Sequence, residues 1–274
     1  MPTIPVRNTT IHYERAGDGE PTLVFIHGMC GGAWVWEDQI ARLSGRFTCV
    51  AYDRRGHSRS PAGPDDPVEG QSDESHADDA AALIEALELD RPVLVSSSGG
   101  AVVAVEVLHR HPGLVAGAVV SEPPLFSIDP NAGRSLVGDV GPAVEQAAAA
   151  GGPAAAVDAF FEVVCPGLWS RLDDTRKARY RDNAPMLFAN FEARSTAMTV
   201  DDVGAIDVAV LVLAGTTSHP SLMSTTGLLA RSLPDARFVE LEGSGHVTYA
   251  EKPAEFATAV AAFAHEVAAA PAGP

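Results

Sequence analysis

The chain has 274 residues, 46% of them apolar and 20% charged, and a formal net charge of −17. That length suits one large domain or a domain with an insert, and the negative field excludes binding to polyanions, nucleic acid included, and gives acidic substrates no help. No apolar run reaches the length of a membrane span, the start at Met1-Pro2-Thr3-Ile4 lacks a signal-peptide core, and three scattered cysteines (Cys30, Cys49, Cys165) without metal-type spacing fit a reducing cytoplasm.

From the N-terminus, alternation predicts a strand over 10–16, followed by a turn at Gly17-Asp18-Gly19-Glu20-Pro21. Residues 22–26 form a continuous apolar run, as in a strand buried on both faces, which stops at His27-Gly28-Met29-Cys30-Gly31-Gly32. A helix is expected over 36–43 and a second buried strand over 47–52, ending in Asp53-Arg54-Arg55-Gly56-His57-Ser58-Arg59-Ser60. A loop rich in Pro, Gly and Asp covers 61–70, and helical spacing resumes over 75–87. Strands are then expected at 92–95 and 115–120, with a helix over 102–108 between them. From 126 to 203 the strand–helix rhythm stops and helical segments are separated by Gly and Pro, with the alanine-rich 147–156 read as helix ends and loop. After it come a strand at 208–214, a helix at 222–233, a strand at 237–241 and a helix at 253–269. Strands alternating with helices imply a mostly parallel sheet covered on both faces, with its ligand site at the carboxyl ends of the strands.

Chemistry concentrates at those ends. The run Val93-Leu94-Val95 stops at Ser96-Ser97-Ser98-Gly99-Gly100 and passes into a helix, the strand–turn–helix context of a nucleophile elbow. Against the pattern G-x-S-x-G, Ser98 is the nucleophile, Gly100 the closing glycine, and Ser96 stands where glycine is usual. His246, in Gly243-Ser244-Gly245-His246 after the last expected strand, is the candidate base, able to take a serine proton and return it to a leaving group. Cys30 has no paired base of its own.

With His27-Gly28, the segment from Tyr52 to Ser60, the elbow at Ser98 and Gly243-Ser244-Gly245-His246 in this order, the chain resembles the α/β-hydrolase fold over essentially its whole length. The resemblance implies a mostly parallel eight-stranded sheet with helices on both faces, the core being 1–125 and 204–274 and a helical cap, 126–203, inserted after the sixth strand. It also implies an acid after the seventh strand in a pattern close to G-x-x-D, but here Ser218 stands in that place. A hydroxyl cannot supply the charge that stabilises an imidazolium, so either the triad is broken or the acid comes from elsewhere. Glu122, after the sixth strand, occupies the alternative acid position, and Ser121-Glu122-Pro123-Pro124 resembles hydrolases that use a Glu there, among them resorcylic-lactone lactonases. Asp201, Asp202 and Asp207 precede the seventh strand and are poorer candidates. The oxyanion would be held by the Gly99 amide and by Met29, with Gly28 the next candidate. Trp34, Phe126, Phe161, Trp169, Phe188 and Val247 are the expected substrate contacts, while His27, Asp53, His57 and the neighbouring arginines are read as structural.

The expected function is a serine hydrolase without cofactor or metal, a monomer or homodimer acting on a carboxylic ester or lactone of an apolar small molecule. C–C bond hydrolysis and perhydrolase or haloperoxidase chemistry would use the same triad. A catalytically weak ligand-binding receptor is the alternative from another class, prompted by the missing Asp.

Overall fold

Runs of β-branched and apolar residues form eight strands: β1 (Thr3–Val6), β2 (Thr9–Ala16), β3 (Leu23–Ile26), β4 (Cys49–Tyr52), β5 (Val93–Ser97), β6 (Gly117–Ser121), β7 (Val210–Gly215) and β8 (Ala236–Leu241). The computed structural model describes residues 2–64 and 71–269, so positions 65–70 of the loop expected over 61–70 lie outside the described residues. All eight strands join one sheet in the order β1-β2-β4-β3-β5-β6-β7-β8. The β1–β2 and β2–β4 pairs are antiparallel, and every pair from β4 to β8 is parallel.

The central strands are buried along their whole length, and their alternate side chains feed two cores. Leu23, Phe25, Val93, Val95 and Leu211 point to one face, and Val24, Ile26, Leu94, Val120 and Val212 to the other. Two-sided burial explains why these strands read as unbroken apolar runs. Each such Val, Leu, Ile or Phe side chain contributes about 1.5–3 kcal/mol relative to exposure.

Helices α1 (Glu37–Leu43), α2 (Asp73–Ala86) and α3 (Gly99–Arg110) belong to the first half of the sheet. Between β6 and β7 the chain is helical: α4 (Pro130–Val164), α5 (Pro166–Trp169), α6 (Asp174–Arg181), α7 (Ala184–Glu192) and α8 (Val200–Gly204). The loss of strand rhythm after residue 125 is this insertion. The last three are α9 (Pro220–Ser232), α10 (Thr248–Glu251) and α11 (Pro253–Ala269).

Two expectations need correction. The alanine-rich 147–156 is helix on both sides of a single break at Gly152, where φ is 76° and Pro153 opens the second half. Alanine's helix propensity carries the segment, and only the glycine leaves the helical region. Helix α4 is also long and apolar enough, by length and composition, to cross a membrane, contrary to the expectation that no run reaches that length.

Asn183, at the start of α7, ties the insertion to the core. Its amide donates to the carbonyls of Cys30 (3.0 Å) and Gly31 (2.9 Å), and its Oδ1 accepts from the Ser58 amide at 2.7 Å.

The loop after β4 is pinned by a buried ion pair. Arg55 Nε and Nη2 each donate to Asp79 of α2 at 2.7 Å, with both side chains essentially inaccessible. Asp79 also accepts from Arg7 Nη1 at 3.2 Å, so its removal cuts a buried pair and this second contact together. Asp79→Ala is therefore expected to lower stability by about 3–5 kcal/mol in a urea melt. A loss below about 1 kcal/mol, the range of surface pairs, would show that Arg55 finds other compensation.

Candidate active site

The carboxyl ends of β5, β6 and β8 converge. Ser98 caps α3 with φ 57° and ψ −131°, a conformation that costs a non-glycine residue of order 1–3 kcal/mol and persists only where the surroundings enforce it. Enforcement comes from the Ser98 amide donating to Ser121 O at 2.9 Å and from the close seating of Gly100 on the loop after β3. A Cβ on Gly100 would stand 2.4 Å from Ile26 O and 2.5 Å from His27 O, so only glycine fits. Ser96, at the position where glycine is usual, is buried and donates from Oγ to Val119 O at 2.8 Å. The larger residue is accommodated because it gains a partner on the neighbouring strand.

His246 Nε2 lies 3.0 Å from Ser98 Oγ, and its Nδ1 lies 2.7 Å from Glu122 Oε2. Glu122 is fully buried at φ 47°, another strained position. Its Oε1 accepts from the Gly215 amide at 2.7 Å, and its Oε2 also accepts from the Ser218 hydroxyl. A carboxylate receiving donors on both oxygens acts towards the imidazole as an acceptor, so Nδ1 carries the proton and Nε2 is free to accept one from Ser98. Ser218, the residue standing where an Asp was expected, thus helps hold the Glu. Gly215 permits this crowding, since a Cβ there would meet Gly245 O at 2.3 Å.

The Gly99 amide starts α3, and the Met29 amide lies 3.9 Å from where a Gly99 Cβ would sit. Neither amide donates to another described residue, so two N–H groups stand beside the serine unengaged. Gly28 lies against the same side chain, a Cβ there falling 3.5 Å from Ser98 Oγ.

A cavity of about 430 Å³ opens from Ser98, Gly99, Met29 and His246. Phe126, Leu136, Val140, Phe160, Val102 and Leu222 line its apolar part, and exposed Val137 and Phe191 stand where it meets solvent. A second void of about 30 Å³, the size of a water molecule, touches Ser98 and His246 between Phe161, Val247 and Tyr249. Phe161 and Val247 therefore face the site through the small void and not the main cavity.

Trp34, Trp169 and Phe188 line neither space. Trp34 packs edge-on to Tyr180 with ring centroids 4.7 Å apart, under the Arg179 guanidinium, and Trp169 stacks on Phe161 at 4.6 Å. Phe188 packs against the core on the α1 side of the sheet. These rings dock the inserted helices on the sheet, a role set by tertiary partners that composition does not reveal. Asp202 caps its own helix with Thr199, and Asp201 and Asp207 make no contact with His246.

The structural reading of the loop after β4 holds for Asp53, which accepts from the Ala33 amide at 2.6 Å and from Arg59 Nε at 2.7 Å. It holds also for His27, in the loop after β3, whose Nε2 accepts from the Arg54 amide at 2.9 Å. Burial keeps His27, His57 and His76 well below the usual imidazole range. It does not hold for Arg54, which lines the main cavity with Gln71, Asp73 and Asn190. Burial pushes the Cys30 thiol up to about 12, which removes it as a nucleophile near neutral pH.

Comparison with known proteins agrees with this architecture. The chain is 35% identical over 116 residues to the 2-(acetamidomethylene)succinate hydrolase of Mesorhizobium japonicum, a match covering 42% of this chain and 40% of that one. The chain spans less than half the length of the curated relatives it matches. A thermophilic esterase from Thermogutta terrifontis superposes with a TM-score of 0.78 at 20% identity, over 97% of this chain and 99% of that one. The enol-lactonase from Burkholderia xenovorans LB400 superposes with a TM-score of 0.77 at 23% identity, over 96% and 99%. At those identities the structural likenesses speak to the fold alone. Residues 23–259 match the profile of the alpha/beta hydrolase family, and with the sheet order and strand-end site described above, the chain belongs to that family.

Proposed function

We propose that the protein is a serine hydrolase that cleaves a carboxylic ester or lactone of a small molecule through an acyl-enzyme. The observation that carries this reading is the unbroken relay from Ser98 Oγ to His246 (3.0 Å) to Glu122 (2.7 Å) at the wall of an apolar cavity. Ser98 Oγ attacks the carbonyl carbon while His246 Nε2 takes its proton. The Gly99 and Met29 amides hold the oxygen that becomes negative, each such donor being worth about 2.7–4 kcal/mol in comparable sites. Collapse of the tetrahedral adduct breaks the bond to the leaving oxygen, which receives the proton from His246. Water, deprotonated by the same imidazole, then attacks the acyl carbon and releases Ser98 and the acid.

In this reading residues 126–203 act as a cap over the core of 1–125 and 204–274. The cap supplies Leu136, Val140, Phe160 and Phe191 to the cavity, and they favour an apolar portion of the substrate. The receptor alternative loses the feature that prompted it, because His246 has a carboxylate neighbour although position 218 is Ser.

Incubation with a fluorophosphonate probe tests the reading. The expected result is stoichiometric labelling of the peptide containing Ser98 and matching loss of turnover on a panel of short esters and lactones. An unlabelled Ser98 in folded protein would overturn it in favour of a ligand-binding role.

A further inference from the structure

Among the described residues Arg54 makes no direct ion pair; the carboxylate that acts on it, Asp73, does so across the cavity wall and not by contact. Arg54 is buried, at 2% exposure, yet lines the cavity that contains Ser98. Its Nη2 donates to Gly28 O over a long 3.3 Å, its Nε has no hydrogen-bond partner, and among the described residues no carboxylate lies within ion-pairing distance. The contrast with the next residue is direct, since Arg55 is forked onto Asp79 by two 2.7 Å bonds. A buried guanidinium is costly unless paired, and its fork of donors matches the two oxygens of a carboxylate. Burial holds the imidazoles of His27, His57 and His76 well below the usual range, so they add little positive charge beside it. Asp73 also lines the cavity, but its Oδ2 accepts from the Thr196 amide at 2.9 Å and its carboxylate does not touch the guanidinium.

We infer that Arg54 is the anchor of an anion subsite beside the nucleophile, and that the substrate carries a carboxylate a short distance from its scissile carbonyl. The inference rests on the hydrolytic reading and adds the substrate class to it. Gly28 sets the distance: its carbonyl meets Arg54, while its α-carbon faces Ser98, where a Cβ would lie 3.0 Å from Ser98 Cβ. The two subsites thus lie on either side of one glycine, and a short spacer would join carboxylate and scissile carbonyl in the substrate. Asp73, on the same wall, opposes an anion and sets how strongly Arg54 binds it.

The test compares monoethyl glutarate with the neutral isostere in which an isopropyl group replaces the carboxylate. Wild-type protein is expected to favour the anionic ester by at least about tenfold in kcat/KM, the scale of one charge-assisted hydrogen bond. Arg54→Gln should erase that ratio, mainly through KM for the anionic ester. Arg54→Lys should keep part of the ratio, and Asp73→Asn should widen it. A purely structural arginine would lower both rates together and leave the ratio alone. Calorimetric titration of glutarate reads the subsite without turnover: saturable binding to wild type that Arg54→Gln abolishes supports the inference even if no ester is cleaved. No saturable binding to the wild type, or an anionic preference intact in folded Arg54→Gln, overturns it. Loss of fluorophosphonate labelling would instead strike the hydrolytic reading.

Discussion

Ser98→Ala is expected to lower turnover of a short activated ester by about 10⁶-fold, the loss seen when a triad serine is removed. Cys30, near the site, is held as a thiol by burial, which pushes its pKa up to about 12. The substitution deletes one oxygen and leaves a residue able to share the strained φ of 57°, which is imposed by the Ser121 carbonyl and the contacts of Gly100 and not by the hydroxyl. The thermal midpoint should therefore stay close to that of the wild type while activity and fluorophosphonate labelling vanish together. Parallel loss of fold and activity would leave Ser98 as a structural residue. Hydrolysis undiminished in folded protein would remove it from the mechanism.

What the sequence made legible follows from where each signal lives. Ser98 and Glu122 follow β5 and β6, which two-sided burial writes as apolar runs, whereas His246 follows β8, an edge strand with Phe238 and Val239 exposed, and was legible from Gly243-Ser244-Gly245-His246 after it. β1 was not legible: it is a four-residue antiparallel strand at the sheet edge containing Pro5, and Pro belongs on edges because it lacks a ladder donor. The aromatic residues of the insertion were legible as apolar but not as partners. Whether Phe160 faces the cavity and Trp169 the stack on Phe161 depends on how five helices pack, which a helical period alone does not encode. Arg54 and Arg55 are adjacent and chemically alike, yet one pairs with Asp79 and the other enters the cavity, a difference of side-chain direction set by the fold. Position 218 was legible only as a missing acid. That its hydroxyl donates to Glu122 needed the two strand ends in space.

Glu122→Gln isolates the charge from the shape, and kcat is expected to fall by about 10⁴-fold, as when a triad carboxylate becomes an amide. The carboxylate receives three donors: the Gly215 amide, the Ser218 hydroxyl and His246 Nδ1. A glutamine has one acceptor oxygen for all three, and its NH2 turned to the ring would stabilise the tautomer with the proton on Nε2, which cannot accept from Ser98. Ser218→Asp in the Glu122→Gln background supplies a carboxylate at the neighbouring position, within one hydrogen bond of the atom that holds Nδ1. At least about tenfold of the lost kcat should return there, because the contribution is electrostatic and orienting and does not require that one side chain. In the wild-type background the same Ser218→Asp should instead slow the reaction. Two carboxylates then share a buried site, one is forced to take a proton, and Nδ1 loses its undivided acceptor. A Glu122→Gln protein that folds and keeps kcat within a few-fold of wild type would show that the acid has been misassigned, whatever the 2.7 Å contact suggests.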